Sequence, residues 1–229
     1  MLRGELPDAY RAFFSSRRGG VSEPPYDTLN LGLLTDDAPE SVAENRRRLC
    51  VEADCDHARL SYNRQVHGAI AREACENGRQ GDAVWTAEPA RPLLVFTADC
   101  LPVALGRLDG EPAVAAVHVG WRGLLAGVVE EAARALGGGR LAASVGPGIG
   151  RCCYEVGEEV AEPFRRRFGK AVVDRGRLDL RSAVDAALRG AGAAFVTHAD
   201  VCTACSADYF SHRRDGPRTG RQGMVAFVA

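Results

Sequence analysis

Two short apolar runs, Leu93–Thr97 and Ala113–Val117, constrain this chain more than any other feature. Each has the length and β-branched content of a buried strand. Each is followed closely by a residue with soft-ligand chemistry, Cys100 after the first and His118 after the second. Laid side by side, the two strands would bring both residues to one edge of a sheet. His67, within Arg64-Gln65-Val66-His67-Gly68, follows a third run that also reads as strand. Two imidazoles and a thiolate are a common donor set for zinc, and three protein ligands leave a fourth position open for water or substrate. The same residues also fit a plainer account, a satisfied core histidine and a buried thiol.

Copper is the second metal to weigh, because two His and one Cys form the equatorial set of a blue-copper site that usually adds a weak axial Met. Met224 is available for that role, but the five histidines are too few for the clusters of a multicopper oxidase. A three-ligand zinc lowers the pKa of bound water toward ~7 and suits hydrolytic deamination. Asp99, beside Cys100, reads either as a proton carrier or as a turn-capping carboxylate.

The chain has 229 residues, enough to bury a core without disulfide staples, and is read as one domain over residues 1–229. With 29 basic and 30 acidic residues it is close to neutral, so no global field draws it to nucleic acid or an anionic membrane. Recognition of phosphate must then be local, and Arg suits it through bidentate contact. No apolar run approaches the ~20 residues of a spanning helix, and the N-terminus lacks a signal-peptide h-region. A cytoplasmic protein, acting as a monomer, is expected. Eight cysteines without an export signal read as reduced thiols and ligands. Only Cys202-Thr203-Ala204-Cys205 forms a C-x-x-C pair, and Cys152 and Cys153 are adjacent, whereas a zinc ribbon needs two C-x-x-C pairs.

Along the chain, Tyr10–Ser16 reads as strand, Pro39–Cys50 as helix, Leu60–Val66 and Ala69–Glu73 as strand, turn and strand, and Gly81–Thr86 as a further turn and strand. Leu124–Leu136 reads as the clearest helix, stopped by Gly137-Gly138-Gly139. Leu141–Val145, Ala194–Thr197 and Met224–Val228 follow as strands, with helices near 157–168 and 180–189 between them. Gly146-Pro147-Gly148-Ile149-Gly150 is only a weak match to a phosphate-cradling loop, since Pro147 removes a donor. Asn45 shares a helix face with Val42 and Leu49, so its amide needs partners there. The segment Cys202–Arg221 reads either as a solvated hairpin or as an anion pocket of Arg forks and hydroxyls.

The chain resembles, over nearly its full length, the laccase-domain family of purine nucleoside phosphorylases, formerly labelled multicopper polyphenol oxidases and also called peptidoglycan editing factors. The matching motifs are Ser16-Arg17 with Gly19-Gly20-Val21-Ser22, Tyr26 to Gly32, Glu44-Asn45-Arg46, Gln65-Val66-His67-Gly68, Thr97-Ala98-Asp99-Cys100, Val117-His118 with Gly120-Trp121-Arg122-Gly123, Gly146-Pro147 with Ile149-Gly150, and Phe210-Ser211 with Arg213-Arg214. The resemblance implies a mixed α/β fold of packed sheets covered by helices, similar to the cysteine-hydrolase-like fold of cytotoxic necrotizing factors. It implies zinc at His67, Cys100 and His118, and phosphorolysis of adenosine, inosine, guanosine and methylthioadenosine, with adenosine deamination at the same site. Arg17, Asn45, Arg46 and Arg213 are the residues expected to contact nucleoside or phosphate. Two departures stand out: Arg64 occupies a position where many relatives carry an acidic residue, and Cys152-Cys153 replaces more ordinary ones. Two other functions share these residues, a Cys–His hydrolase of cell-wall precursors with Cys100 as nucleophile and His118 as base, and a copper-binding redox protein.

Overall fold

The computed structural model describes residues 1–32 and 34–229. A four-stranded sheet is built from β1 (Leu2–Arg3), β2 (Tyr10–Phe14), β5 (Leu93–Thr97) and β12 (Gln222–Val228), in the order β1-β2-β12-β5. A six-stranded mixed sheet takes β3 (Ala71–Glu73), β4 (Ala83–Thr86), β6 (Leu101–Arg107), β7 (Val114–Val119), β8 (Leu141–Val145) and β11 (Ala193–His198), in the order β11-β8-β6-β7-β4-β3. Helix α1 (Pro39–Glu52) lies over the first sheet. Helices α2 (Trp121–Ala126), α3 (Val128–Ala135), α4 (Glu158–Phe168) and α5 (Leu180–Gly190) accompany the second, with the hairpin β9 (Val173–Asp174) and β10 (Arg177–Leu178) and the short helix α6 (His212–Asp215).

The two-residue alternation of the strands assigns each apolar side chain to a layer. Tyr10, Ala12, Phe14, Val95, Met224 and Ala226 face Ala104, Val114 and Ala116 between the sheets. The opposite face of the first sheet, with Leu94 and Val225, packs on Leu49 and Cys50 of α1. The opposite face of the second, with Val103, Leu105, Val117 and Val119, packs on Val128, Val129, Phe164 and Val184 of the helices. The result is a mixed α/β architecture of packed sheets flanked by helices, as the family resemblance implies.

Three expectations are corrected. The strands that precede Cys100 and follow Pro112 are not neighbours: β5 belongs to the four-stranded sheet and β7 to the six-stranded one. The strand that pairs with β7 is β6, with Leu101 opposite Val119 and Pro102 opposite His118. Pro102 and Gly106 disguise β6 as a punctuated loop, but Pro102 stands one position beyond the ladder with β8, which begins at Val103 and Val145, so its missing N–H costs no rung of that ladder. The helix expected over Leu124–Leu136 is two helices, because Gly127 takes φ 94° and serves as C-cap of α2 and N-cap of α3. Leu60–Val66 forms only single bridges, Ser61 to Leu93 and Arg64 to Gln80, rather than a strand.

Candidate active site and metal centre

The last residues of β5, the residue before β6 and the end of β7 converge where the two sheets meet. Side chains alternate along β7, so His118 points to the same side as Ala116, toward the other sheet. Cys100 enters β6 from the turn at Asp99, which adopts φ 86°. His67 sits on a loop with φ 58°. One ligand atom from each of His67, Cys100 and His118 lies within 4.8 Å of the others, and the two imidazole rings meet edge to face with centroids 4.8 Å apart. The packing around the sulfur is close: a Cβ on Gly120 would come 2.9 Å from the Cys100 Sγ and 3.2 Å from His67 Cδ2. Only glycine permits this approach before α2 begins.

Asp82 holds the set together, and sequence reasoning did not single it out. It is 1 % exposed, and its Oδ1 is 2.8 Å from His118 Nδ1. Its carboxylate also accepts the backbone N–H groups of Val66 at 3.1 Å, His67 at 2.9 Å and Gly68 at 2.8 Å. One residue at the mouth of β4 therefore orients the His118 ring and fixes the loop that carries His67. With Nδ1 committed to Asp82, His118 presents Nε2 to the cleft. The available signal was a lone carboxylate directly preceding a buried strand.

Burial alone would push the Cys100 thiol up, but the charge of His118 and hydrogen bonds from His118 and His67 outweigh it and bring the thiol down to about 6. Burial would lower His118, yet the Cys100 thiolate and the Asp82 carboxylate raise it to about 9. Without a metal, the pair rests as thiolate and imidazolium at neutral pH. The donors also fit a soft divalent ion such as zinc, with three protein ligands, an outer carboxylate on one His and an open side. Met224 packs between the sheets and does not line the cleft, so it supplies no axial ligand for copper.

The open side faces a cleft of about 650 Å³, within the ~300–1,000 Å³ usual for small-molecule sites. Arg46, Arg64, Arg122, Arg213 and Arg221 line it, with Asp99 the carboxylate among its lining. Asp99 is already engaged, accepting Thr203 Oγ1 at 2.6 Å and the Arg213 N–H at 2.7 Å. The guanidinium of Arg46 donates to Leu31 O, that of Arg213 to Glu155 O, and that of Arg221 to Thr219 O and Gly220 O. These charges are held by backbone carbonyls and not cancelled by carboxylates, which leaves the cleft cationic. Tyr62, Phe96, Trp121 and Tyr154 supply flat apolar walls. Thr97 Oγ1, buried on the cleft floor, has no hydrogen-bond partner among the described residues.

The expected substrate residues separate into two groups. Arg213 lines the cleft over the Tyr154 ring, 5.4 Å from its centroid, and Arg46 lines it between Tyr62 and Phe96, at 4.3 and 4.7 Å. Arg17 and Asn45 stand behind it. The Arg17 guanidinium is bound to Asp27 O at 2.7 Å and Asp27 Oδ1 at 3.0 Å and stacks on Phe210. Asn45 is fully buried, and its amide takes the Val21 N–H and donates to Ser22 Oγ, Thr28 O and Asn30 O. Fully buried and absent from the cleft lining, Asn45 ties the 16–32 loop to α1.

Residues 11–229 match the family described as multi-copper polyphenol oxidoreductase laccase. The chain belongs to this family. Among its curated relatives, a purine nucleoside phosphorylase of Deinococcus radiodurans is 43 % identical over 93 % of this chain and 87 % of its own. Another of that name, from Pseudomonas aeruginosa, is 39 % identical over 97 % and 95 %. Among solved structures, the Neisseria meningitidis protein NMB0706 superposes with a TM-score of 0.90 at 30 % identity, covering 99 % of this chain and 98 % of that one. YlmD from Geobacillus stearothermophilus does so at 0.89 and 28 %, covering 97 % and 94 %. These two solved proteins share the two-sheet fold of this chain. As in the rest of the described chain, no helix is long and apolar enough to cross a membrane.

Proposed function

We propose that this laccase-domain protein is a purine nucleoside phosphorylase, with His67, Cys100 and His118 holding zinc and adenosine deamination as a second reaction at the same site. The observation that carries the reading is the opening of that three-donor set into a cationic cleft of about 650 Å³ with aromatic walls. The names of the curated relatives support the phosphorylase class. Bound zinc would supply Lewis acidity at the open side of the set.

The remaining chemistry falls to the chain. Phosphorolysis breaks the bond between the sugar anomeric carbon and the purine nitrogen while a phosphate oxygen bonds to that carbon. The bonding electrons leave with the purine, which must take up a proton. Arg213, Arg221, Arg64 and Arg122 attract and orient phosphate. Tyr62, Phe96 and Trp121 sandwich a flat base. Burial raises the Tyr154 phenol above its ordinary range, so it stays protonated at neutral pH and offers a hydrogen bond to the leaving purine, whose proton comes from solvent.

A second reading has its own observation. The Asp82–His118–Cys100 arrangement, with the thiol at about 6 and the imidazole at about 9, is also that of a thiol nucleophile with an oriented base. Product analysis with adenosine, with and without phosphate, in the zinc-loaded protein and after chelation, separates the two. Adenine and ribose 1-phosphate formed only with phosphate, and lost on chelation, establish phosphorolysis. Inosine alone makes the protein chiefly a deaminase. Failure to turn over any purine nucleoside, with amide hydrolysis that survives chelation and is stopped by thiol alkylation, establishes the nucleophile.

A further inference from the structure

We propose that Cys152, Cys153, Cys202 and Cys205 form a second, four-sulfur zinc site, structural in role and separate from the cleft's donor set. Their four Sγ atoms all lie within 4.8 Å of one another. A tetrahedral ion with Zn–S bonds of ~2.3 Å requires sulfurs about 3.8 Å apart, and Cys205 Sγ lies 3.5 Å from that of Cys152 and 3.3 Å from that of Cys153. Cys205 thus faces both members of the adjacent pair almost equally, an arrangement that singles out no disulfide partner but suits a shared central ion.

The surroundings are those of bound thiolates. The Gly150 N–H donates to Cys202 Sγ at 3.1 Å, and the Cys205 N–H also points to that sulfur. The backbone at Gly150 is pressed against the cluster, since a Cβ there would meet Cys152 Sγ at 3.1 Å and Cys202 Sγ at 3.3 Å. Arg214, paired with Asp215, also donates its guanidinium to Thr203 O and Ser206 O and so braces the C-x-x-C turn. On zinc binding the four thiols release their protons to solvent and four Zn–S bonds form; four thiolates around a dication leave a net negative centre at the protein surface, open to solvent at Cys152 and Cys205. No electrons are transferred. Cys152 and Cys205 are exposed, which favours this redox-inert ion over iron.

The site joins two loops that the sheet leaves apart in sequence. The segment after β8 carries Gly150, Cys152 and Cys153 and continues to Tyr154 of the cleft; the segment after β11 carries Cys202, Thr203 and Cys205 and continues to Arg213. Backbone pairing of Gly148 with Cys202 and Thr203 starts the junction, and the ion would lock it. The adjacent Cys152-Cys153 pair explains why counting C-x-x-C motifs excludes a second site while the fold assembles one.

The test is metal analysis of the full chain purified under reducing conditions, followed by cobalt substitution. Two zinc ions per chain are expected in the native protein, falling by half in the Cys152→Ser/Cys205→Ser double variant and by half in Cys100→Ser. Cobalt should give the ligand-field and sulfur-to-metal charge-transfer bands of a tetrathiolate in the native protein and in Cys100→Ser, and lose them in the double variant. Because Cys100→Ser keeps the proposed site, the reading stays testable if the double variant does not fold. One zinc per chain with no tetrathiolate spectrum in Cys100→Ser, iron in place of zinc, or a disulfide from Cys205 to Cys152 or Cys153 in freshly purified unreduced protein would each overturn it.

Discussion

Cys100 sits at the root of a central strand between two imidazoles, beneath a cleft, whereas Cys152, Cys153, Cys202 and Cys205 sit on two loops near the surface with only one another for donors. The first set has three ligands, a carboxylate fixing one of them and an open side. The second offers four sulfurs, the number that a closed tetrahedral zinc site takes. Imidazoles are neutral ligands, so the first set leaves any ion cationic and exposed to an anion; four thiolates leave it anionic and enclosed. On the proposed reading a thiolate serves reactivity in one region and bracing in the other, and the difference lies in the number and kind of its neighbours.

The largest effect that would test this contrast is removal of Cys100 or His118. Each alanine variant should lower nucleoside phosphorolysis by about 10³-fold or more, the scale expected when a member of a unit acting together is lost, with the thermal transition little changed; retained turnover would move the chemistry elsewhere in the cleft. Chelation should separate the two regions next. A competing chelator should strip the three-donor set and stop turnover while the four-sulfur centre keeps its cobalt spectrum, and simultaneous loss from both would make them equivalent.

Asp82→Asn should weaken zinc affinity or activity by about 10–100-fold, because the amide holds neither the His118 ring nor the His67 loop as the carboxylate does; competition titration with a zinc indicator measures it. In metal-free protein, Cys100 should alkylate with a half-maximal rate near pH 6, since its pKa is depressed to about 6 and the thiolate is present above that value. Asp82→Asn should shift that midpoint upward, because the carboxylate is part of what keeps His118 charged. An unmoved midpoint would mean that Asp82 acts on backbone alone. The smallest effect concerns Arg64, exposed at the rim of the cleft: Arg64→Glu should raise the phosphate concentration for half-saturation by roughly fivefold, about 1 kcal/mol for an exposed charge, and superimposable phosphate saturation curves would dismiss it.

Much of this was legible before any coordinates. The strand character of Leu93–Thr97 and the helix beginning at Pro39 follow from residue type and local spacing; His67, Cys100 and His118 were candidates by residue type and by strands expected side by side, and they do come together, though through β6 and not β5. Arg213 falls in a segment that read equally as a solvated hairpin or an anion pocket, and Asn45 on an apolar face already demanded internal partners. Strand β6 was hidden because Pro102 and Gly106 speak locally for a turn, and only the positions of β7 and β8 make them tolerable in a sheet. Leu124–Leu136 read as one helix because a glycine's propensity does not announce a positive φ.

What the sequence by itself determined was the inventory: which residues can bind a soft ion, which runs must be buried and which segments turn, because these depend on side-chain chemistry and on periods of two or nearly four residues. What only the tertiary structure decided was which of them meet. His67 is brought to His118 by Asp82, and Cys152-Cys153 to Cys202 and Cys205 by the adjacency of β8 and β11. Those meetings depend on strand order, and strand order is chosen by the packing of whole faces rather than by any local stretch of chain.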